Sequence, residues 1–392
     1  MAVINPEIRK EIEKYGIENF NACYNCGNCT AVCSLADENN SFPRNVLRNA
    51  VLGLEDELTT TIDPWLCYYC GECTSTCPRE ADPGELMMSV RRYLTTRYDW
   101  TGLSRKFYTS KKWEISAILL LSMLVMTLFI FFHGPLTTEL TAEGGVKLNT
   151  FAPWKVIEMG DWIMAGLLSF FLLSNIGNMY YKIILKKKIR IPLKFYFTEL
   201  WALIFNFATQ YKFSKCEPKE TSFFKNLKHG KYNYWIAHFL LMSGYVILFV
   251  VIVVFLSWFQ TDSIHPWWHP QRLLGYYATI GLLVGITYFT FHRIKKDNEK
   301  SQHSHFTDWT FIILLLLTTI SGILVHIFRI NGMPYPTYYT YVAHLMVLFP
   351  MLMIEVPFSK WSHLAYRPFA IYFNNLIIAA KDSKAGKKSS TS

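Results

Sequence analysis

Two patterns of apolar residues divide the chain. Through about residue 112 they are spaced at helical intervals among charged and polar residues. Three short helices are predicted there. One runs from Pro6 to Tyr15. Another runs from Ser41-Phe42-Pro43-Arg44 to about Leu58, with its proline at an early helical position. A third runs from Asp82-Pro83-Gly84-Glu85 to about Arg97. No strand-like alternation interrupts them. Beyond residue 112 come six apolar segments, at roughly 114–133, 160–181, 233–258, 272–292, 307–328 and 338–358. Each is long enough to cross a bilayer, which takes about 20 residues. Six in series, nearly free of charge, exclude the buried helices of a soluble core as their explanation.

A further apolar and aromatic stretch, 193–210, is flanked by basic residues. A seventh span there would reverse every later loop, so an interfacial helix is expected. The last 12 residues are polar, and a disordered tail is expected. The chain therefore divides into 1–112, a membrane part 113–375 and a polar tail 376–392.

Charge adds orientation. Lys111 and Lys112 precede the first span, and twelve Lys and Arg lie between the second and third. Arg293, Lys295, Lys296 and Lys300 follow the fourth, and Lys360, Arg367, Lys381, Lys384, Lys387 and Lys388 follow the sixth. The opposite loops hold few: Lys147, Lys155 and Arg329. By the positive-inside tendency both termini face the cytoplasm across a cytoplasmic (inner) membrane. A basic inner face against membrane lipids accounts for the net charge of +10 without nucleic acid.

Cysteine spacing brings in chemistry. Cys23, Cys26, Cys29 and Cys33 read C-x2-C-x2-C-x3-C, and Cys67, Cys70, Cys73 and Cys77 repeat it, with Pro78 following. Such runs hold iron–sulfur clusters, the fourth cysteine crossing to the other cluster. Cluster one is assigned to Cys23, Cys26, Cys29 and Cys77, and cluster two to Cys67, Cys70, Cys73 and Cys33. Zinc favours paired knuckles, and a disulfide framework needs a secreted context, for which no signal peptide is expected. Cys216, the ninth cysteine, is expected to be a plain thiol. The fold class is thus all-α: a helical, ferredoxin-like domain with two [4Fe-4S] clusters, then a six-helix transmembrane bundle.

Polar residues inside a membrane point to function. His238 lies one turn inside the third span and His363 just beyond the sixth, both at the inner side, so together they suit one haem b. His344, early in the sixth span, and His326, ending the fifth, are candidates for an outer haem b, with His133 a rival to His326. His344 and His363 stand 19 residues apart, which one straight helix would not aim alike. Pro350 and Pro357 can supply a kink. Glu355, an acid in the inner half of the sixth span, is a candidate for proton handling. His229, His292, His303 and His305 are expected to be solvated in basic loops, and His265 and His269 to lie in an aromatic belt with Trp267 and Trp268. No G-x-G-x-x-G or P-loop occurs, so a partner must handle hydride.

Ser41-Phe42-Pro43-Arg44, Trp65-Leu66-Cys67-Tyr68-Tyr69-Cys70-Gly71-Glu72-Cys73 and Cys77-Pro78 make the first 100 residues resemble the C-type iron–sulfur protein of heterodisulfide reductase. Asp308, Gly322 and Pro357-Phe358-Ser359-Lys360-Trp361-Ser362-His363-Leu364-Ala365-Tyr366-Arg367 resemble that enzyme's haem b subunit, itself similar to the gamma subunit of respiratory nitrate reductase. In those families a histidine early in one span pairs with the one after Pro-Phe-Ser, which here implies His238 with His363. The nitrate reductase type has a second histidine further along, where Leu248 stands here. Both modules in one chain resemble the C-type membrane component of the quinone-interacting membrane-bound oxidoreductase family. That resemblance implies electron transfer between menaquinone, haem b and the clusters. It also implies two cytoplasmic flavin and iron–sulfur partner subunits similar to the A-type flavoprotein of heterodisulfide reductase, and adenylylsulfate reductase as the eventual partner in sulfate respiration. A catalytic heterodisulfide-type reductase would need adjacent cysteines, and none are adjacent here. A redox sensor, or another heterodisulfide-reductase-like complex with a different acceptor, is the remaining alternative.

Overall fold

The structure is a computed structural model and describes residues 4–38, 40–211 and 232–389; Cys216 and His229 lie outside them. Among the described residues the chain is helical, with two isolated β-bridges and no sheet. Six helices are long and apolar enough to cross a membrane: Lys111–Phe132, Trp154–Leu185, Asn233–Val254, Pro270–Lys295, Phe306–Ile330 and Pro334–Phe358. They make this a multi-pass membrane protein. The second runs several residues past its apolar stretch at each end, because helical hydrogen bonding continues through flanking Lys155 and Lys182.

The third span packs along the fourth, the fifth along the sixth, and the first against the sixth. Small residues let the third and fourth approach closely. A Cβ on Gly281 would lie 2.7 Å from the Leu240 carbonyl oxygen, and one on Gly285 2.6 Å from the Leu241 Cβ. Leu120, Met123, Phe131 and Phe132 of the first span face outward, as a lipid-facing helix requires. At one end of the bundle the loops knit together. Tyr341 Oη donates to Gln260 Oε1 (2.8 Å), and Gln260 Nε2 donates to the Ala152 carbonyl (2.8 Å).

The N-terminal region caps the other end. Its longest helix, Pro83–Tyr98, begins with the Asp82 carboxylate accepting from the Glu85 amide. The helix expected from Ser41 to Leu58 is two, Arg44–Leu52 and Glu55–Thr60, broken where Gly53 turns left-handed (φ 72°). Tyr15, Trp65, Leu86 and Tyr98 share one core with Ile176, Met179 and Ile183 of the second span and with Tyr366, Phe373 and Leu376 beyond the sixth. Each fully buried large apolar side chain there contributes roughly 1.5–3 kcal/mol. The N-terminal region is therefore packed onto the bundle.

Three further expectations are corrected. The 193–210 stretch forms two helices, Leu193–Thr198 and Leu200–Thr209, parted at Glu199. The C-terminal segment is a helix, His363–Ser389, rather than a tail that is disordered from 381. Its apolar side is anchored, with Leu376 and Ala380 buried. His305, expected to be solvated, is buried: its side chain caps the fifth span, accepting from the Thr307 amide, and its ring packs on Tyr108.

One buried anion joins the two parts. Asp308, in the first turn of the fifth span, pairs with Arg92 of the N-terminal region (3.6 Å), Arg293 of the fourth span (3.4 Å) and Lys360 beyond the sixth. Removing one member of a buried pair strands the others and typically costs about 3–5 kcal/mol. Asp308→Ala is accordingly expected to lower the thermal unfolding temperature of the detergent-solubilised protein by several degrees, read from intrinsic tryptophan fluorescence. An unchanged transition would show that the network adds no stability.

Candidate functional site

The two cysteine runs fold alike. Asn25 (φ 60°) and Gly27 (φ 97°) match Tyr69 (φ 56°) and Gly71 (φ 91°). Each glycine opens a single helical turn, Asn28–Ala31 or Glu72–Ser75. Left-handed backbone at these points wraps three cysteines around one side. The Asn25 amide donates to Cys23 Sγ and the Tyr69 amide to Cys67 Sγ, both at 3.3 Å. Amide bonds to sulfur help set a cluster's potential.

The runs also meet. Cys33, of the first run, lines one small cavity with Cys67, Cys70 and Cys73 of the second. On the other side, Arg79, two residues beyond Cys77, donates to the Ala22 carbonyl (3.5 Å) and lies 4.2 Å from the Tyr24 ring. The segment after Cys77 therefore touches the first run. Among the described residues no three His, Cys, Asp or Glu side chains converge on a single metal ion. Four thiols around one cavity have the donor chemistry of a cubane, whose corners are wider apart than one ion's ligands. Burial, then neighbouring sulfurs, push the Cys29 thiol up to about 11 and the Cys73 thiol up as well. The positive charge of bound iron reverses that tendency.

A larger cavity lies between the cluster-two loop and the bundle. Trp65, Tyr68 and Tyr69 line it from one side, and His238, Phe311 and His363 from the other. The His238 and His363 ring centroids are 6.2 Å apart. The Lys360 carbonyl can only accept, so His363 donates from Nδ1 (2.6 Å), and His238 Nδ1 is 2.8 Å from Gln210 Oε1. Both contacts place the lone pair on Nε2, as axial ligands require. Burial and the Lys360 charge push His363 down to about 4, keeping it neutral. These residues fit a haem b.

His344 and His326 turn to different neighbours. His344 Nδ1 is 2.9 Å from Ser321 Oγ on the fifth span. His326 accepts at Nδ1 from Arg272 (2.8 Å), and its Nε2 is 3.3 Å from the Tyr276 hydroxyl. Arginine only donates, so the His326 proton sits on Nε2. His133 lies at the same end, its Nδ1 2.6 Å from the Gly134 carbonyl. The expected difficulty of aiming His344 and His363 from one straight helix does not arise. After Pro350 the chain makes a π-helical turn, Met351–Glu355, and at Ser359 it leaves the helix altogether.

Glu355 is fully buried, with Oε2 accepting from the Lys360 amide (3.2 Å). Its companion is Glu114, also fully buried, which sequence reading missed. The sequence did carry a signal, an acid in the first turn of an apolar span, but beside Lys111 and Lys112 it looked like a solvated flank. Gln210 carried no comparable signal as a supporting group for the histidine pair.

A 4Fe-4S dicluster domain family matches residues 19–81. The N-terminal region is similar to proteins of the heterodisulfide reductase C type. One, from Archaeoglobus profundus, is described as like the C subunit of heterodisulfide reductase. It is 32% identical over 96 residues, 24% of this chain and 51% of that protein. Another, from Methanocaldococcus jannaschii, is described as iron-sulfur component C 2 of CoB–CoM heterodisulfide reductase. It is 36% identical over 75 residues, 19% of this chain and 40% of that protein. The chain thus spans about half the length of the curated relatives it matches, or less. No solved structure matches. The dicluster domain supports an electron-transfer role for this region.

Ligand crossing is testable. Cys33→Ser is expected to damage the cluster of the second run, and Cys77→Ser that of the first. Electron paramagnetic resonance of the two reduced variants separates the signals. Loss of the same-run cluster in each variant would refute the crossed assignment.

Proposed function

We propose that this chain is the membrane electron-transfer subunit of a quinone oxidoreductase complex, passing electrons between menaquinone, one haem b and two [4Fe-4S] clusters. The observation that carries this reading is the facing His238–His363 pair, opening on the same cavity as the cluster-two loop. Haem b held by His238 and His363 would supply a one-electron relay.

The chain's own residues support the connection onward. One turn past His363, Tyr366 packs on Trp65 (5.1 Å) and the Arg367 guanidinium lies over Tyr68 (5.6 Å). Those aromatic residues flank Cys67, whose carbonyl also accepts from Arg91. These contacts give a route from the histidine pair to cluster two, held by Cys67, Cys70, Cys73 and Cys33. Cluster one, held by Cys23, Cys26, Cys29 and Cys77, comes next. Around it Cys26, Tyr24 and Val32 are exposed, a surface suited to handing electrons to a soluble partner.

Quinones are confined to the bilayer, so their exchange takes place on the membrane helices. The soluble partners are proposed to be two flavin and iron–sulfur subunits similar to the A-type flavoprotein of heterodisulfide reductase, with adenylylsulfate reductase beyond them. The sequence resemblance and the names of the relatives support this. The charge pattern supports placing both termini in the cytoplasm. The partners held by His326 favour one haem over two.

His238→Ala and His363→Ala are each expected to abolish the same low-spin b-type spectrum, because each leaves one axial ligand. His344→Ala should retain it. Optical and low-temperature paramagnetic resonance spectra of the reduced and oxidised proteins decide this. Retention of the spectrum in both of the first two variants would overturn the pairing.

A further inference from the structure

Glu114 comes from the first turn of the first span and Glu355 from the end of the sixth, and both are fully buried. They lie side by side, held by donors from the adjacent residues Ser359 and Lys360. Two ionised carboxylates sharing one buried site repel, which favours a proton on one of them. The donors are few. Thr310 Oγ1 donates to Glu114 Oε2 (3.0 Å), Ser359 Oγ to Glu114 Oε1 (3.3 Å) and the Lys360 amide to Glu355 Oε2 (3.2 Å). Glu355 Oε1 has no hydrogen-bond partner among the described groups.

Lys360 joins this pair to the histidines. Its amide N–H donates to Glu355 while its carbonyl accepts from His363 Nδ1 (2.6 Å). A single peptide residue therefore lies between the carboxyl pair and the imidazole. The other ionisable groups facing the pair are Tyr108, Asp308 and the Lys360 ammonium. Asp308 is committed to Arg92, Arg293 and Lys360. Burial makes any change of charge at the axial site strongly felt by the pair.

We propose that Glu114 and Glu355 form a redox-linked proton site: when a hydroquinone gives one electron to the group that His238 and His363 would hold, it is left as the neutral semiquinone and loses one hydroxyl proton to water, while the pair takes up one proton from water and releases it when the electron moves on. One positive charge accompanies one negative charge, so the buried region keeps its net charge. This rests on the haem reading of His238 and His363.

The test is a potentiometric titration of the purified protein over roughly pH 5 to 9, a range that spans carboxyl and imidazole chemistry. The midpoint potential is expected to fall, over part of that range, by close to 59 mV for each tenfold drop in proton concentration, one proton per electron. Glu355→Gln and Glu114→Gln keep the shape and should each flatten that slope while retaining the bis-histidine spectrum. A flat profile in the native protein, or an unchanged slope in both variants, would overturn the proposal. Redox-difference infrared spectra of the native protein need no variant. A protonated-carboxyl band must change on reduction, and its absence also overturns the proposal. Absence of a bis-histidine spectrum in the native protein is a different failure, which removes the haem reading and this proposal with it.

Discussion

A carboxylate buried at the start of a membrane span must be matched by nearby cations, and Asp308 is matched by three from three parts of the chain. Arg92 belongs to the helix that follows the second cysteine run. Lys360 lies three residues before His363, and Arg293 ends the fourth span. An unpaired charge in this setting costs several kcal/mol, so the three segments cannot separate without penalty. The cysteine loops, the candidate axial pair and the bundle thus meet at one anion as well as in their shared apolar core.

That arrangement suits electron transfer better than it suits binding a soluble substrate. The contacts Trp65–Tyr366 and Arg367–Tyr68 join the histidine helix to the residues flanking Cys67 along the wall of the cavity. The apolar core runs unbroken from the N-terminal helices into the second span and the last helix. A region joined this way does not need to dock and undock during each transfer.

The break after the sixth span has two roles. Its wide turn after Pro350 and its departure from helix at Ser359 free the Lys360 amide and carbonyl from the regular ladder. Those two groups then serve Glu355 and His363. A regular helix would have used both in its own hydrogen bonds.

The sequence by itself determined what depends on local pattern. Apolar run length gave the six spans, because a bilayer demands about 20 residues whatever the tertiary fold. Cysteine spacing gave the cluster runs, because a cubane's corners fix which residues of one loop can reach it. The depths of His238 and His363 were likewise legible from their places in the spans. Tertiary structure decided what depends on distant residues meeting. Gln210 and the Lys360 carbonyl setting the histidine tautomers, and Glu114 beside Glu355 across 241 positions of chain, fall outside any local periodicity. The burial of His305 was missed for the same reason: its own segment is polar, and only the neighbours that cover it make it part of the core.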